Sequence, residues 1–195
     1  MPSGNDIQLT SRFEQALAFA SQLHREQVRK GTTIPYISHL MAVSSLVLEQ
    51  GGNEDEAIAA LLHDAVEDQG GLPILTEIRD RFGDQVAAIV AGCTDTDVVP
   101  KPPWKERKEA YINHIIDASP SVRLVSAADK LHNARSILAD YRQLQDELWS
   151  RFKGGREGTL WYYRALVEAF RATGSTPLIE ELDRTVSELE GLVDS

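Results

Sequence analysis

His63 and Asp64 stand at the end of an apolar run that begins at Ala57 and otherwise reads as protein core. Four ionisable groups, His63, Asp64, Glu67 and Asp68, crowd its C-terminal side. Burying such groups is costly unless they are paired or hold a metal. Imidazole and carboxylate side by side are ligand types for a divalent transition ion. Two other positions extend the set. His39 opens a helix after a proline-containing turn, and Asp129 lies in Val-Ser-Ala-Ala-Asp-Lys-Leu-His-Asn, residues 125–133. On a helix Ser126, Asp129, Asn133 and Ser136 recur at spacings of three and four, a polar stripe beside Leu124, Val125, Ala128 and Leu131. Two imidazoles and two carboxylates suit Mn²⁺ or Fe²⁺ better than structural zinc, which prefers closed sulfur and nitrogen sites. Open coordination positions would let such an ion activate a water. Glu67 and Asp68 follow His63 and Asp64 by one helical turn, where a carboxylate can orient that water or move its proton.

Each of these residues also has a plainer role. A buried histidine is more often satisfied within a core than bound to an ion. Glu67 and Asp68 can be read as a solvated helix end, although acids there oppose the helix dipole. His24, His114 and His132 fall under the plainer reading, His132 because it points partly away from the stripe. Spacing alone leaves the metal site as one of two readings.

The elements that must position these residues are helical. Apolar positions recur at helical spacing almost throughout and no convincing strand is visible, which predicts an all-α bundle of about eight to ten helices. One domain is expected over residues 1–195, with a catalytic core at 9–172 and a last helix at 177–193. The first helix is expected from Ser11, capped with Glu14, to about Val28, with Leu9, Phe13, Leu17 and Ala20 buried. Arg29 to Pro35 is a loop, and a second helix runs from near His39 to Gly51-Gly52. Asn53 with Glu56 caps a third, expected to run unbroken through His63 to Asp68. Shorter helices follow at Pro73–Phe82 and, capped by Asp84, at Gln85–Ala91, then a proline-rich loop from Thr94 to Pro103. Trp104–Ala118, a long segment from Pro120 to about Phe152, and Glu157–Ala172 are helical. The Gly154-Gly155 turn lacks Walker spacing and reads as an interhelical connection. Trp161, Tyr162 and Tyr163 read as core or rim. Ile179, Leu182, Val186, Leu189 and Val193 form a heptad-like seam. Packing on the core is expected of it, and a homo-oligomer contact is the alternative.

Composition narrows the partners. A chain of net charge −10 is a poor match for nucleic acid, whose binding rests on phosphate neutralisation by Lys and Arg. No apolar run approaches the ~18 residues of a membrane span. The opening Met-Pro-Ser-Gly-Asn-Asp has no basic or apolar signal character, and the one cysteine, Cys93, cannot form an internal disulfide. A reducing cytoplasm is the expected setting.

Three blocks, Arg29 to His39, His63 to Asp68 and Ala128 to Arg135, are together similar to the HD-domain hydrolases. The chain resembles the hydrolase half of the Rel/Spo alarmone enzymes, and most of all the stand-alone small alarmone hydrolases, from roughly Leu9 to Phe170. The resemblance implies an all-helical enzyme with Mn²⁺ on His39, His63, Asp64 and Asp129, Fe²⁺ or another divalent ion being the alternative. It implies Glu67 and Asp68 as the pair that activates water. Arg29 would pack on the base, with Lys30 beside it. Asn133 would face the nucleotide, with Ser136 and Ile137 a turn further on. The implied reaction removes the 3′-pyrophosphate from guanosine tetra- or pentaphosphate, giving GDP or GTP. Lys101, Lys105, Arg107, Lys108 and Arg135 are candidates to cradle the distal phosphates. With 195 residues there is no synthetase half, so hydrolysis alone is expected. Two features depart from the family pattern: Leu40 follows His39 where proline is common, and Thr32-Thr33-Ile34 makes the preceding turn longer and more apolar. They flank the base site, so adenosine alarmones and NADPH are alternative substrates, and a nucleotide-sensing domain without turnover is a third reading.

Overall fold

Helical spacing is realised throughout the computed structural model, which describes residues 8–95, 100 and 102–194. Among them are ten α-helices: α1 Ser11–Leu23, α2 Ile37–Glu49, α3 Glu54–Leu62, α4 Ala65–Gln69, α5 Leu72–Phe82, α6 Asp84–Cys93, α7 Trp104–Asp117, α8 Pro120–Leu144, α9 Gly155–Ala172 and α10 Pro177–Val193. A 3₁₀ segment, Gln145–Arg151, follows α8. The described residues include no strand, only an isolated bridge between Val28 and Pro35 that closes the loop before α2. No helix among them is long and apolar enough to cross a membrane.

Local chemistry explains most helix boundaries. Asn53 accepts from the Glu56 amide while the Glu56 carboxylate accepts from the Asn53 amide, so two orphan donors at the start of α3 are satisfied. Ser119 and Thr176 cap α8 and α10 with one bond each, accepting from the Val122 and Ile179 amides, each ahead of a proline in the first turn. Five expectations need correction. Asp84 does not cap α6: it is the first residue of that helix, Gly83 precedes it, and no side chain makes a cap hydrogen bond there. Thr10, not Ser11, caps α1, its hydroxyl accepting from the Arg12 amide. Helix α1 stops at Leu23 rather than near Val28, because the Val28–Pro35 bridge draws the chain into an extended turn. Leu9 is exposed, and the buried face of α1 is Ala16, Phe19 and Ala20. The third helix is not continuous: α3 ends at Leu62, and His63 and Asp64 form a junction ahead of α4.

Helix α3 is buried along its whole C-terminal half, Ala57 to Leu62, and its alanines let α1, α2, α6 and α8 approach closely. Helix α8 runs past α2, α3, α6, α9 and α10. Arg12 ties α1 to its neighbours, donating to Glu54, to Asp55 and to the Phe82 carbonyl. The apolar stripe of α10, including Leu178, Leu182, Val186 and Leu189, is buried against α8 and α9. The seam packs on the core, as expected of it, so these residues are not an exposed surface for the alternative contact with a second copy.

Candidate metal centre and its two cavities

Three segments meet where the ionisable residues collect. Helix α2 brings His39 in its first turn, the α3–α4 junction brings His63 and Asp64, and α8 brings Asp129. His39 and His63 are buried, and their Nε2 atoms find no hydrogen-bond partner in the protein. His39 Nε2 lies 3.2 Å from Asp129 Oδ1, and His63 Nε2 lies 3.0 Å from Asp64 Oδ2. The crossed distances, His39 to Asp64 and His63 to Asp129, are 3.7 and 3.6 Å. Ligand atoms of His39, His63 and Asp129 all fall within 4.8 Å of one another. Orphaned buried imidazole nitrogens facing carboxylates are the donor set a divalent cation satisfies.

Neighbouring groups orient and charge these side chains. His63 Nδ1 donates to the Ala60 carbonyl at 2.8 Å, which leaves Nε2 as the lone-pair nitrogen. Asp129 accepts from Lys130 Nζ at 2.6 Å and Asn133 Nδ2 at 2.5 Å. Burial works to raise the Asp129 pKa, but Lys130 and the two histidines outweigh it and hold the group well below the usual carboxylate range. Asp64 is likewise held low against burial, by His63 and His39. The Tyr36 hydroxyl donates to Asp64 Oδ2 at 2.5 Å, and burial together with Asp64 pushes its own pKa upward.

Two cavities share a wall beside this centre. The larger, of about 440 Å³, is lined by Arg29, Ile34, Asn133, Ile137, Asp140 and Arg151 among others, and Ser136 also faces it. The smaller, of about 290 Å³, is lined by Glu67, Trp104, Arg107, Lys108 and Lys153. Lys30, Phe152 and Tyr163 line both, with Lys30 Nζ placed 5.5 Å from the Phe152 ring centroid. Arg29 donates to Asn133 Oδ1 at 2.7 Å, which links the larger cavity to Asp129 through Asn133. Asp68 accepts from Gln27 Nε2 at 2.8 Å, and partial burial with Asp64 beside it raises its pKa.

Most expected site residues therefore converge, with exceptions. Arg135 lies outside the cradle, since its guanidinium pairs with Glu181 of α10. Lys105 sits over the Trp161 ring, 3.7 Å from the centroid, and lines neither cavity. Arg107 and Lys108 do line the smaller cavity, both paired with Asp95. Lys101 lies outside the described residues. The main correction concerns His132, which is no isolated core histidine: its Nδ1 is 2.7 Å from Nδ1 of His39. Burial, His39 and Arg29 push its pKa down to about 4. Tyr36, Lys130 and Gln27 were also missed. Tyr36 and Lys130 had a readable signal, Tyr36 lying one turn before His39 and Lys130 following Asp129 directly.

A family model for the HD domain matches residues 16–160, well over half of the chain, and the protein belongs to the HD-domain family. Its relatives within that family include the guanosine-3′,5′-bis(diphosphate) 3′-pyrophosphohydrolase MESH1 of Xenopus tropicalis, 38% identical over 139 residues, covering 70% of this chain and 73% of the relative. MESH1 of Homo sapiens is also 38% identical, over 144 residues, with 71% and 74% covered. A solved structure described as a metazoan ortholog of SpoT that hydrolyzes ppGpp superposes with a TM-score of 0.78 at 26% identity, covering 92% of this chain and 96% of that one.

Proposed function

We propose that this protein is a Mn²⁺-dependent 3′-pyrophosphohydrolase of guanosine tetra- and pentaphosphate, giving GDP from the former and GTP from the latter, each with pyrophosphate. The observation that carries this reading is the pair of buried, unpartnered Nε2 atoms on His39 and His63, facing two carboxylates beside a cation-lined cavity. It accords with the activity in the names of the MESH1 relatives. His39, His63, Asp64 and Asp129 would hold the ion, which when bound supplies Lewis-acid activation of water and neutralises phosphate charge.

The chain's own residues do the rest. The nucleoside fits the larger cavity, where the Arg29 guanidinium and Ile34, Ile137 and Phe152 offer planar and apolar surface to a base. Asn133, oriented by Arg29 and Asp129, is placed to hold the sugar–phosphate end. The 3′-pyrophosphate fits the smaller cavity, where Lys30, Arg107, Lys108 and Lys153 offset its charge in a protein that is acidic overall. Water attacks the 3′-linked phosphorus, the P–O3′ bond breaks, and the ribose oxygen takes up a proton. Glu67, on the wall of the smaller cavity, is placed to take the proton from the attacking water. Asp68, fixed by Gln27, stands one residue further along to orient that water. Asp140, whose carboxylate also accepts from Arg151, favours guanosine: guanine offers it two adjacent donors, N1–H and the 2-amino group, where adenine offers only its 6-amino group.

The test is an assay of purified protein with Mn²⁺ against guanosine and adenosine polyphosphates and NADPH, with products identified. Guanosine tetraphosphate should yield GDP and pyrophosphate, and chelation should stop the reaction. Turnover of adenosine polyphosphate or NADPH in preference would overturn the substrate assignment. Binding of nucleotide without turnover would establish a sensing domain instead.

A further inference from the structure

The two histidines of the centre are oriented by different kinds of partner. His63 Nδ1 donates to the Ala60 carbonyl, a backbone acceptor that no side-chain substitution removes. His39 Nδ1 has no carbonyl within hydrogen-bond reach; its partner is Nδ1 of His132, at 2.7 Å. The rings lie 4.8 Å apart between centroids, tilted by 43°. A neutral imidazole carries one proton, so a histidine that offers Nε2 to an ion must carry its proton on Nδ1. His39 Nε2 is the buried nitrogen without a partner, which makes Nδ1 the donor and His132 Nδ1 the acceptor. Two nitrogens at this distance share one proton between them; both cannot donate, and two lone pairs would repel. The tautomer of His39 is therefore tied to that of a residue which is not itself part of the four-ligand set.

We infer that His132 is a positioning residue, which fixes the His39 ring and tautomer by accepting from its Nδ1–H and so presents Nε2 to the metal. The inference rests on the metal-centre reading above, though not on the identity of the substrate. His132 is well placed for this role. One turn further along α8, the Ser136 hydroxyl donates to its backbone carbonyl at 3.0 Å, and the residue after it, Asn133, holds Asp129. Helix α8 thus supplies one ligand, Asp129, and the orienting partner of another, His39. Outer partners of ligating histidines typically account for ~10–100-fold in metal affinity.

The experiment compares Mn²⁺ affinity, measured by calorimetry on metal-free protein without nucleotide, for the wild type, His132→Leu and His132→Gln. Leucine fills the space without an acceptor, whereas the glutamine side-chain oxygen can accept from His39. His132→Leu should lose ~10–100-fold in Mn²⁺ affinity, and His132→Gln should recover most of that loss. Thermal unfolding of the metal-free forms controls for packing, since a merely structural role would lower the melting temperature of His132→Leu and leave affinity per folded molecule unchanged. That pattern, or equal affinity loss in both variants, would overturn the inference. If the affinities behave as expected but guanosine tetraphosphate is not hydrolysed, the hydrolase reading fails and the positioning role stands.

Discussion

Asp64 and Asp129 carry the electrostatics of the site, because each stays ionised against burial only through its neighbours. Removing one leaves two imidazoles and a single carboxylate, too little charge to hold a hard divalent ion well. Asp64→Ala should therefore lose both bound Mn²⁺, measured by metal content after gel filtration, and turnover. Glu67 is different, since it lies on the cavity wall and outside the ligand set. Glu67→Gln should keep its Mn²⁺ while kcat falls by ~10²–10⁴-fold, the usual worth of a general base. Unchanged kcat in that variant would remove Glu67 from the chemistry. At this scale the ligand types were readable from sequence, because imidazole and carboxylate in an apolar run demand an explanation wherever they fold. His132 was not, since it reaches His39 across 93 positions, and the place of Tyr36 one turn before His39 did not disclose its bond to Asp64, 28 positions away.

The elements set how far apart these residues come to rest. Helix α3 ends one residue before His63, yet the backbone stays near helical values, with φ −60° and ψ −30° at His63 and φ −95° and ψ −3° at Asp64. No glycine or proline marks the break, so nothing in the local sequence announces it. The Asn53–Glu56 box, in contrast, was legible because its hydrogen bonds join residues three apart. Asn53→Ala should lower stability by about 1 kcal/mol in chemical denaturation, with kcat per folded molecule unchanged. The loop before α2 is more sensitive. Gly31 has φ +72°, and a Cβ there would meet Arg151 Cδ and Nε at 2.6 Å. Gly31→Ala would strain the turn and displace Arg151 from Asp140, its partner at 3.0 Å, both on the wall of the larger cavity. The expected result is a higher KM for the nucleotide with Mn²⁺ affinity unaltered; an unchanged KM would separate this loop from substrate binding.

Over the whole molecule, α10 completes the packing of α8 and α9, and the centre staples α2, the α3–α4 junction and α8 together. Leu182 is fully buried in the α10 stripe. Leu182→Ala should cost ~2–5 kcal/mol in unfolding free energy without altering the Mn²⁺ affinity of the folded fraction. Metal should stabilise the fold by mass action: at a free concentration one hundred times its dissociation constant, an ion contributes about 2.7 kcal/mol. For a chain of this size that raises Tm by roughly 5–10 °C, reversed by chelator, and a Tm insensitive to Mn²⁺ would argue against the centre.

Residue types and short-range spacing were enough to predict an all-helical chain, the Asn53–Glu56 cap and a candidate ligand set, because periodicity, capping and ligand chemistry are local properties. The resemblance of three blocks to the HD-domain hydrolases was legible for the same reason, as each block is short and contiguous. Only the tertiary structure decided which cations face the cavities. Arg107 and Lys108 do, while Arg135 is paired with α10 and Lys105 covers Trp161. It alone brought His132 onto His39 and Tyr36 onto Asp64. These contacts depend on how α2, the α3–α4 junction and α8 cross, and a crossing is set by packing over the whole core rather than by the residues that meet there.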